Sequence, residues 1–204
     1  MEHTDPARPP IFGDNPFKLF ADWFVEAERH ELNDPNAMSL ATIGKNGVPS
    51  LRIVLLKGYD PRGFCFFTNM QSRKGGQLDK SPMAALCFHW KSIRRQVRIE
   101  GKVERVSEQE ADDYFNSRPR GSQIGAWASI QSTHLDNRHT LEKRVKEFEE
   151  KFSGKPVPRP THWSGYRVMP AMIEFWQDMP YRLHDRVIFT IDTKGAWQYE
   201  RWYP

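Results

Sequence analysis

At Met38 the apolar residues change period, and that change limits the fold more than any other feature. The runs 39–43 (SLATI) and 48–57 (VPSLRIVLLK) flank Gly44-Lys45-Asn46-Gly47, and Asn-Gly between two such runs signals a tight hairpin turn. Asp60-Pro61-Arg62-Gly63 makes a second turn, leading into a strand over 64–68. Residues 83–90 and 95–106 read as a further strand pair, and 166–177, 182–191 and 197–202 as closing strands. Roughly seven strands, mostly hairpin-linked, leave edges that must be covered or closed. The expectation is a β-rich α+β domain on a closed or nearly closed antiparallel barrel, with helices at its periphery.

The helical segments carry their own signals. Asn15 caps a helix with Pro16 at its first position, and Phe17, Phe20, Phe24 and Ala27, with Trp23 beside them, form an apolar stripe for core or subunit packing. Residues 72–80 make a short polar helix that Gly75 and Gly76 weaken. Ser107-Glu108-Gln109-Glu110 is a capping box opening the helix that carries Tyr114 and Phe115. In the stretch 117–132 (SRPRGSQIGAWASIQS), Pro119 ends one helix near Arg118 and begins another. Arg118, Arg120 and Ser122 then surround a helix N-terminus, where free N–H groups favour an anion. The spacing alone suits an exposed basic joint equally well. Residues 136–152 form a charged amphipathic helix with Leu141, Val145, Phe148 and Phe152 inward.

At 204 residues, 38% hydrophobic and 13% aromatic, the chain is long and apolar enough for one sizeable core, which excludes a disordered polymer. A net charge of +4 is compatible with nucleic acid, a membrane surface or small anions and does not choose among them. The basic residues are scattered without a nucleic-acid-binding motif, and no apolar run is long enough to span a bilayer. Residues 1–14 are polar and proline-rich, a mobile arm ahead of a single domain over 15–204. Cys65 and Cys87 lack metal or CxxC spacing, and the histidines lack an HExxH pattern. The expectation is a cytoplasmic protein without a metal site.

The stretch SRPRGSQIGAWASIQS resembles the central signature of the pyridoxine/pyridoxamine 5′-phosphate oxidases, FMN-dependent enzymes of vitamin B6 metabolism. RIVLLK (52–57), FFTNMQSRK (66–74), RQVRIEG (95–101), IEFWQ (173–177) and RLHDR (182–186) resemble that family in the same order, so the likeness covers nearly everything from Asn15 onward. It implies an FMN-binding split barrel, assembled as a homodimer with flavin between subunits. The implied reaction takes a hydride from substrate C4′ to FMN, with O2 reoxidising the flavin to give H2O2 and pyridoxal 5′-phosphate as product.

FMN and a B6 phosphate ester each bring a dianion, which calls for two cationic clusters. Arg73-Lys74 with Ser72 and Arg52 is one candidate, and Arg118 with Ser122, Tyr114 and Lys57 the other. The residues alone leave open that either is a solvated surface group. The resemblance gives the FMN phosphate to the first cluster with Gln131 and Ser132, and the substrate phosphate to the second. It further implies FMN contacts from Ile53, Val54, Leu55, Leu56, Lys57, Phe67, Thr68, Gln96, Trp176 and Arg186, and substrate-ring contacts from Arg182 and His184, the catalytic candidates. Period-2 geometry over 182–186 puts Arg182, His184 and Arg186 on one strand face and Leu183 on the other. Likewise Gln96, Arg98 and Glu100 share a face, where Arg98 and Glu100 suit an ion pair.

The chain departs from the family at Ser164 and Asp178, where Gly is usual, and at Phe67, where Tyr is frequent. Its arm has Arg8 but lacks the Arg and Tyr, three residues apart, that cover substrate in the family. Two rival readings follow: a related split-barrel flavin oxidase acting on another ring, and a non-catalytic flavin or pyridoxal-phosphate binder.

Overall fold

The computed structural model describes residues 9–204. Its first helix, α1 (Pro16–His30), starts where Asn15 accepts hydrogen bonds from the Phe17 and Lys18 backbone N–H groups. The strands are β1 (Ala37–Ile43), β2 (Pro49–Leu55), β3 (Gly58–Asp60), β4 (Gly63–Asn69), β5 (Met83–Trp90), β6 (Arg95–Arg105), β7 (Trp163–Gln177), β8 (Asp185–Ile191) and β9 (Trp197–Arg201). Four more helices lie between them: α2 (Arg73–Leu78), α3 (Glu108–Ser117), α4 (Arg120–Ala128) and α5 (Arg138–Lys151). The addition to the expected strand set is the three-residue β3, paired with β4.

All pairings are antiparallel, in the order β2-β1-β5-β6-β7-β4-β3, with β8 on β7 and β9 on β8. The sheet divides at the 15-residue β7, whose first part pairs with β4 and whose last part pairs with β8. A register shift between Glu100 and Gly101 marks the change along β6. Gly101 is required there, because a Cβ would lie 1.9 Å from the Met169 carbonyl oxygen.

The stripe on α1 packs across the sheet. Phe20 meets Phe64, Phe88 and Tyr59 edge-on at 4.9–5.2 Å, and Trp23 meets Phe175 at 5.2 Å. A second apolar cluster (Phe115, Ile124, Phe152, Val157, Trp163) ties α3 and α4 to the start of β7. The capping box at Ser107 and Glu110 forms as expected.

Three expectations change. Of the arm expected over 1–14, residues 1–8, including Arg8, lie outside the described residues, whereas Pro9 and Ile11 are held in place. Gln177 donates to the Pro9 carbonyl at 3.0 Å, the Ile11 N–H donates to Asp185 at 2.7 Å, and the Ile11 side chain is buried. Gly75 does not merely weaken α2: a Cβ there would sit 2.0 Å from the Met70 carbonyl oxygen, so glycine lets the helix turn against the end of β4. Finally, residues 182–184 are not strand. Pro180–Arg182 form a 3-10 turn in which Tyr181 and Arg182 have φ of 59° and 61°, and β8 begins only at Asp185. Leu183, expected on the strand face opposite Arg182 and His184, is 69% exposed.

Candidate functional site

Strand β2 alternates cleanly: Ser50, Arg52 and Val54 are half-buried, and Leu51, Ile53 and Leu55 are exposed. It forms one wall of a cavity of about 810 Å3 whose other walls are the ends of β4 and α3, the start of α4 and the Gln131-Ser132 segment. Five cations line it (Arg52, Lys57, Arg73, Lys74, Arg118), and no carboxylate among the described residues does. A hollow with that charge and no internal counter-ion is built for anions.

The cations fall into two groups. Lys74 is buried, with its Nζ donating to Thr68 Oγ1 at 3.1 Å and Ser72 Oγ at 3.4 Å. Burial, and then the charge of Arg52, push its pKa below the ordinary lysine value. Arg52 is itself lowered by burial and by Arg73. Its guanidinium is held by Thr42 Oγ1 (2.5 Å), Ser50 Oγ (2.6 Å), the Leu40 carbonyl (3.2 Å) and Gln77 Oε1 (3.3 Å). Thr68 also donates to Gln131 Oε1 at 3.4 Å, and Ser132 adopts a left-handed φ of 70°.

In the same lining, Phe67 stacks on Tyr114 (4.1 Å) and on Trp163 (5.5 Å). The guanidinium of Arg118 lies 4.8 Å from the Trp163 ring centre, and Lys57 Nζ 5.9 Å from that of Tyr114. Arg118 Nη1 is buried without a hydrogen-bond partner, and desolvation lowers the pKa of the group. A buried guanidinium N–H without an acceptor is unfavourable unless a ligand supplies one.

The remaining expected residues sit elsewhere. Leu56 is a core residue, 4% exposed, and does not line the cavity. Arg120 turns away to donate to the carbonyls of Lys155 and Phe152 at 2.9 and 2.6 Å, so the basic joint is half structural. Gln96, Trp176 and Arg186 lie in register across β6, β7 and β8, with the His184 ring 4.6 Å from Trp176. Beside them the buried Glu174 accepts from Arg98 and from Arg186, each at 2.8 Å, and Arg98 also pairs with Glu100 at 2.7 Å. None of Gln96, Trp176, Arg182, His184 and Arg186 lines the cavity. Sequence reading missed Trp163, Ser50, Ser117 and Glu174. Period 2 relates Ser50 to Arg52 and Glu174 to Trp176, whereas nothing local links Trp163 to Arg118.

Residues 24–152 match the family described as pyridoxamine 5′-phosphate oxidase, and residues 163–204 the pyridoxine 5′-phosphate oxidase C-terminal dimerisation region. The chain belongs to the pyridoxamine 5′-phosphate oxidase family. A Brucella canis protein named pyridoxine/pyridoxamine 5′-phosphate oxidase is 55% identical over 190 residues, covering 93% of this chain and 94% of that one. The structure of PhzG from Burkholderia lata, in complex with tetrahydrophenazine-1-carboxylic acid, superposes with a TM-score of 0.88 at 30% identity, covering 94% of each chain. A pyridoxamine 5′-phosphate oxidase-related, FMN-binding protein from Nostoc punctiforme shares the fold with a TM-score of 0.76 at 16% identity, covering 95% of this chain and all of that one. The fold is thus the split barrel of this family.

The family is FMN-dependent, and the cavity fits an anionic cofactor. The buried Lys74 has only hydroxyl partners and Arg118 Nη1 has none, so each is left waiting for an acceptor. The dimerisation match implies a homodimer, and it spans four of the five residues that stand apart from the cavity: Trp176, Arg182, His184 and Arg186. No described helix is long and apolar enough to cross a membrane.

Proposed function

We propose that the protein oxidises pyridoxamine 5′-phosphate and pyridoxine 5′-phosphate to pyridoxal 5′-phosphate, with O2 as final acceptor and H2O2 as by-product. The observation that carries this reading is one cavity lined by five cations and, among the described residues, by no carboxylate, which suits two phosphates at once. Bound FMN supplies the hydride-accepting chemistry that no side chain possesses.

Arg52, Arg73, Lys74, Gln131 and Ser132 hold the cofactor phosphate, while Ile53, Val54, Leu55, Phe67 and Thr68 wall the same space. Arg118 and Ser122, with Lys57 and Tyr114, hold the substrate phosphate. Arg118 is pre-oriented by its stacking on Trp163, so the charge-assisted bond forms with little reorganisation. Gln96, Trp176 and Arg186, with Arg182 and His184, reach the cavity from the partner subunit, so cofactor and substrate lie between subunits. The exposed Leu51, Ile53 and Leu55 at the rim suit cover by a second copy. In this arrangement Arg182 orients the substrate ring, His184 handles a proton on the 4′ substituent, and closure of the dimer excludes water.

A ring substrate carrying a carboxylate, like the ligand in the PhzG structure, is the second reading. Purified protein loaded with FMN separates the two when peroxide is followed with pyridoxamine 5′-phosphate, pyridoxine 5′-phosphate and unphosphorylated pyridoxine. Turnover of the phosphate esters alone is expected. Equal turnover of pyridoxine, or no flavin uptake, contradicts the proposal.

A further inference from the structure

The row Gln96–Trp176–Arg186 does not stop at β8. Val187 pairs with Arg201 at the end of the β8–β9 ladder, and one step further the Trp202 N–H donates to the Arg186 carbonyl at 3.2 Å. In an antiparallel pair that step sets residue 202 opposite residue 186, with both side chains on one face. Trp202 is thus a fourth member of the row, one residue beyond the end of β9. Its indole Nε1 donates to Glu200 at 2.8 Å, which fixes the ring, and the ring centre lies 5.8 Å from the guanidinium carbon of Arg186.

The guanidinium of Arg186 is held at two of its nitrogens. Nε donates to the buried Glu174 at 2.8 Å, and Glu174 is itself anchored by Arg98. Nη1 donates to the Tyr203 carbonyl at 2.9 Å. Bonds at both Nε and Nη1 fix a planar fork in its plane and its direction. Nη2 makes no hydrogen bond to a described residue, and 22% of the side chain remains exposed. A carbonyl and an aromatic ring orient the cation without cancelling its charge, which stays available to an electron-rich partner.

We propose that Trp202 and the Tyr203 carbonyl are positioning groups for the flavin: together with Glu174 they lock Arg186 so that Nη2 is presented to FMN across the subunit interface. The inference rests on the reading of Arg186 as a cofactor-binding residue that reaches the cavity of the other copy. An arginine held on both sides gives up little rotamer freedom when FMN binds. One tethered by Glu174 alone must be ordered by the cofactor itself, at a cost in affinity. The segment 202–203 therefore acts on FMN through Arg186, and its contribution should vanish when that side chain is removed.

The test titrates FMN into the apoprotein and follows the quenching of flavin fluorescence, with the oligomeric state read by sedimentation. Deleting residues 202–204 should raise the Kd for FMN about fivefold or more while the protein stays dimeric. Trp202→Ala should raise it about twofold or more, and it decides the matter if the deletion fails to fold. Arg186→Ala should weaken FMN binding roughly tenfold or more, and adding the deletion to it should cost nothing further, because the segment acts through that side chain. A parental Kd in the deleted protein overturns the proposal. So does an equal loss with and without Arg186, which means that the segment acts by another route, or a deleted protein that is monomeric, which means that it serves subunit contact. If Arg186→Ala itself binds FMN as tightly as the parent, the underlying reading of Arg186 fails and the inference falls with it.

Discussion

Arg118 and Lys74 show how single side chains define a binding site before any ligand is named. Arg118 has an acceptor-less buried Nη1 and a flat seat on Trp163. Arg118→Ala should therefore raise KM for phosphorylated substrates by about 1.5–3 kcal/mol of lost binding and leave FMN affinity near the parental value. Steady-state kinetics beside a flavin titration reads both, and equal loss of FMN affinity means that the two phosphate sites are exchanged. Lys74 is a buried ammonium with hydroxyl partners only. Lys74→Met should lower FMN affinity at least tenfold, about 1.5–3 kcal/mol for a charge-assisted bond. The melting temperature of the apoprotein should not fall, since a buried charge is replaced by an isosteric apolar chain. Because burial and Arg52 lower the Lys74 pKa, its charge is lost earlier as pH rises than that of a surface lysine. Both residues were visible in the sequence as basic neighbours of small hydroxyl residues. What set them apart from surface charge, their burial and a cavity lining without carboxylates among the described residues, is a property of the folded wall and cannot be read from spacing. Arg120 illustrates this: the same basic stretch sends it to two carbonyls as a structural tie.

At the scale of elements, local signals succeeded where one element decides its own shape. The cap at Asn15, the Asn46-Gly47 turn and the Ser107–Glu110 box all formed because their partners lie within a few residues. Alternation failed at 182–184 because Pro180 and two left-handed residues impose a turn that period 2 cannot register. Leu183→Ala is therefore expected to change stability little, since Leu183 faces solvent. Gly101 gives the opposite expectation: Gly101→Ala drives a Cβ into the Met169 carbonyl and should destabilise the β6–β7 bulge by about 1–3 kcal/mol in urea unfolding. The helix start at Ser107 carries a pH signature. Glu110 is held at about 2, below its ordinary 4.5, first by the Ser107 backbone N–H and then by Arg167. A depressed carboxyl stabilises the fold fully above the unfolded value and loses that contribution as pH falls from about 4.5 through about 2. Glu110→Gln should flatten the fall of stability across that acid window, measured by denaturant melts at each pH, and an unchanged slope contradicts the assignment.

On the proposed reading, the whole molecule holds its site in two pieces. One piece is the anion cavity behind β2, and the other is the row Gln96–Trp176–Arg186 with Arg182 and His184, most of it within the region that matches a dimerisation module. Sequence order gave no hint of this division, because the motifs follow one another along the chain as if they shared one surface. In the proposed arrangement a homodimer with isologous contacts joins such pieces twice, each cavity taking the second piece from the other copy. Subunit mixing tests that directly. Dimers of Arg118→Ala alone and of Arg182→Ala alone should both turn over pyridoxamine 5′-phosphate poorly. After equimolar mixing and subunit exchange, half of the dimers are hybrid, and each hybrid carries one site with no substitution. Activity should return to about a quarter of the parental value. If Arg118 and Arg182 serve the same site from one chain, every hybrid site carries a defect, and the mixture will remain as inactive as its parts.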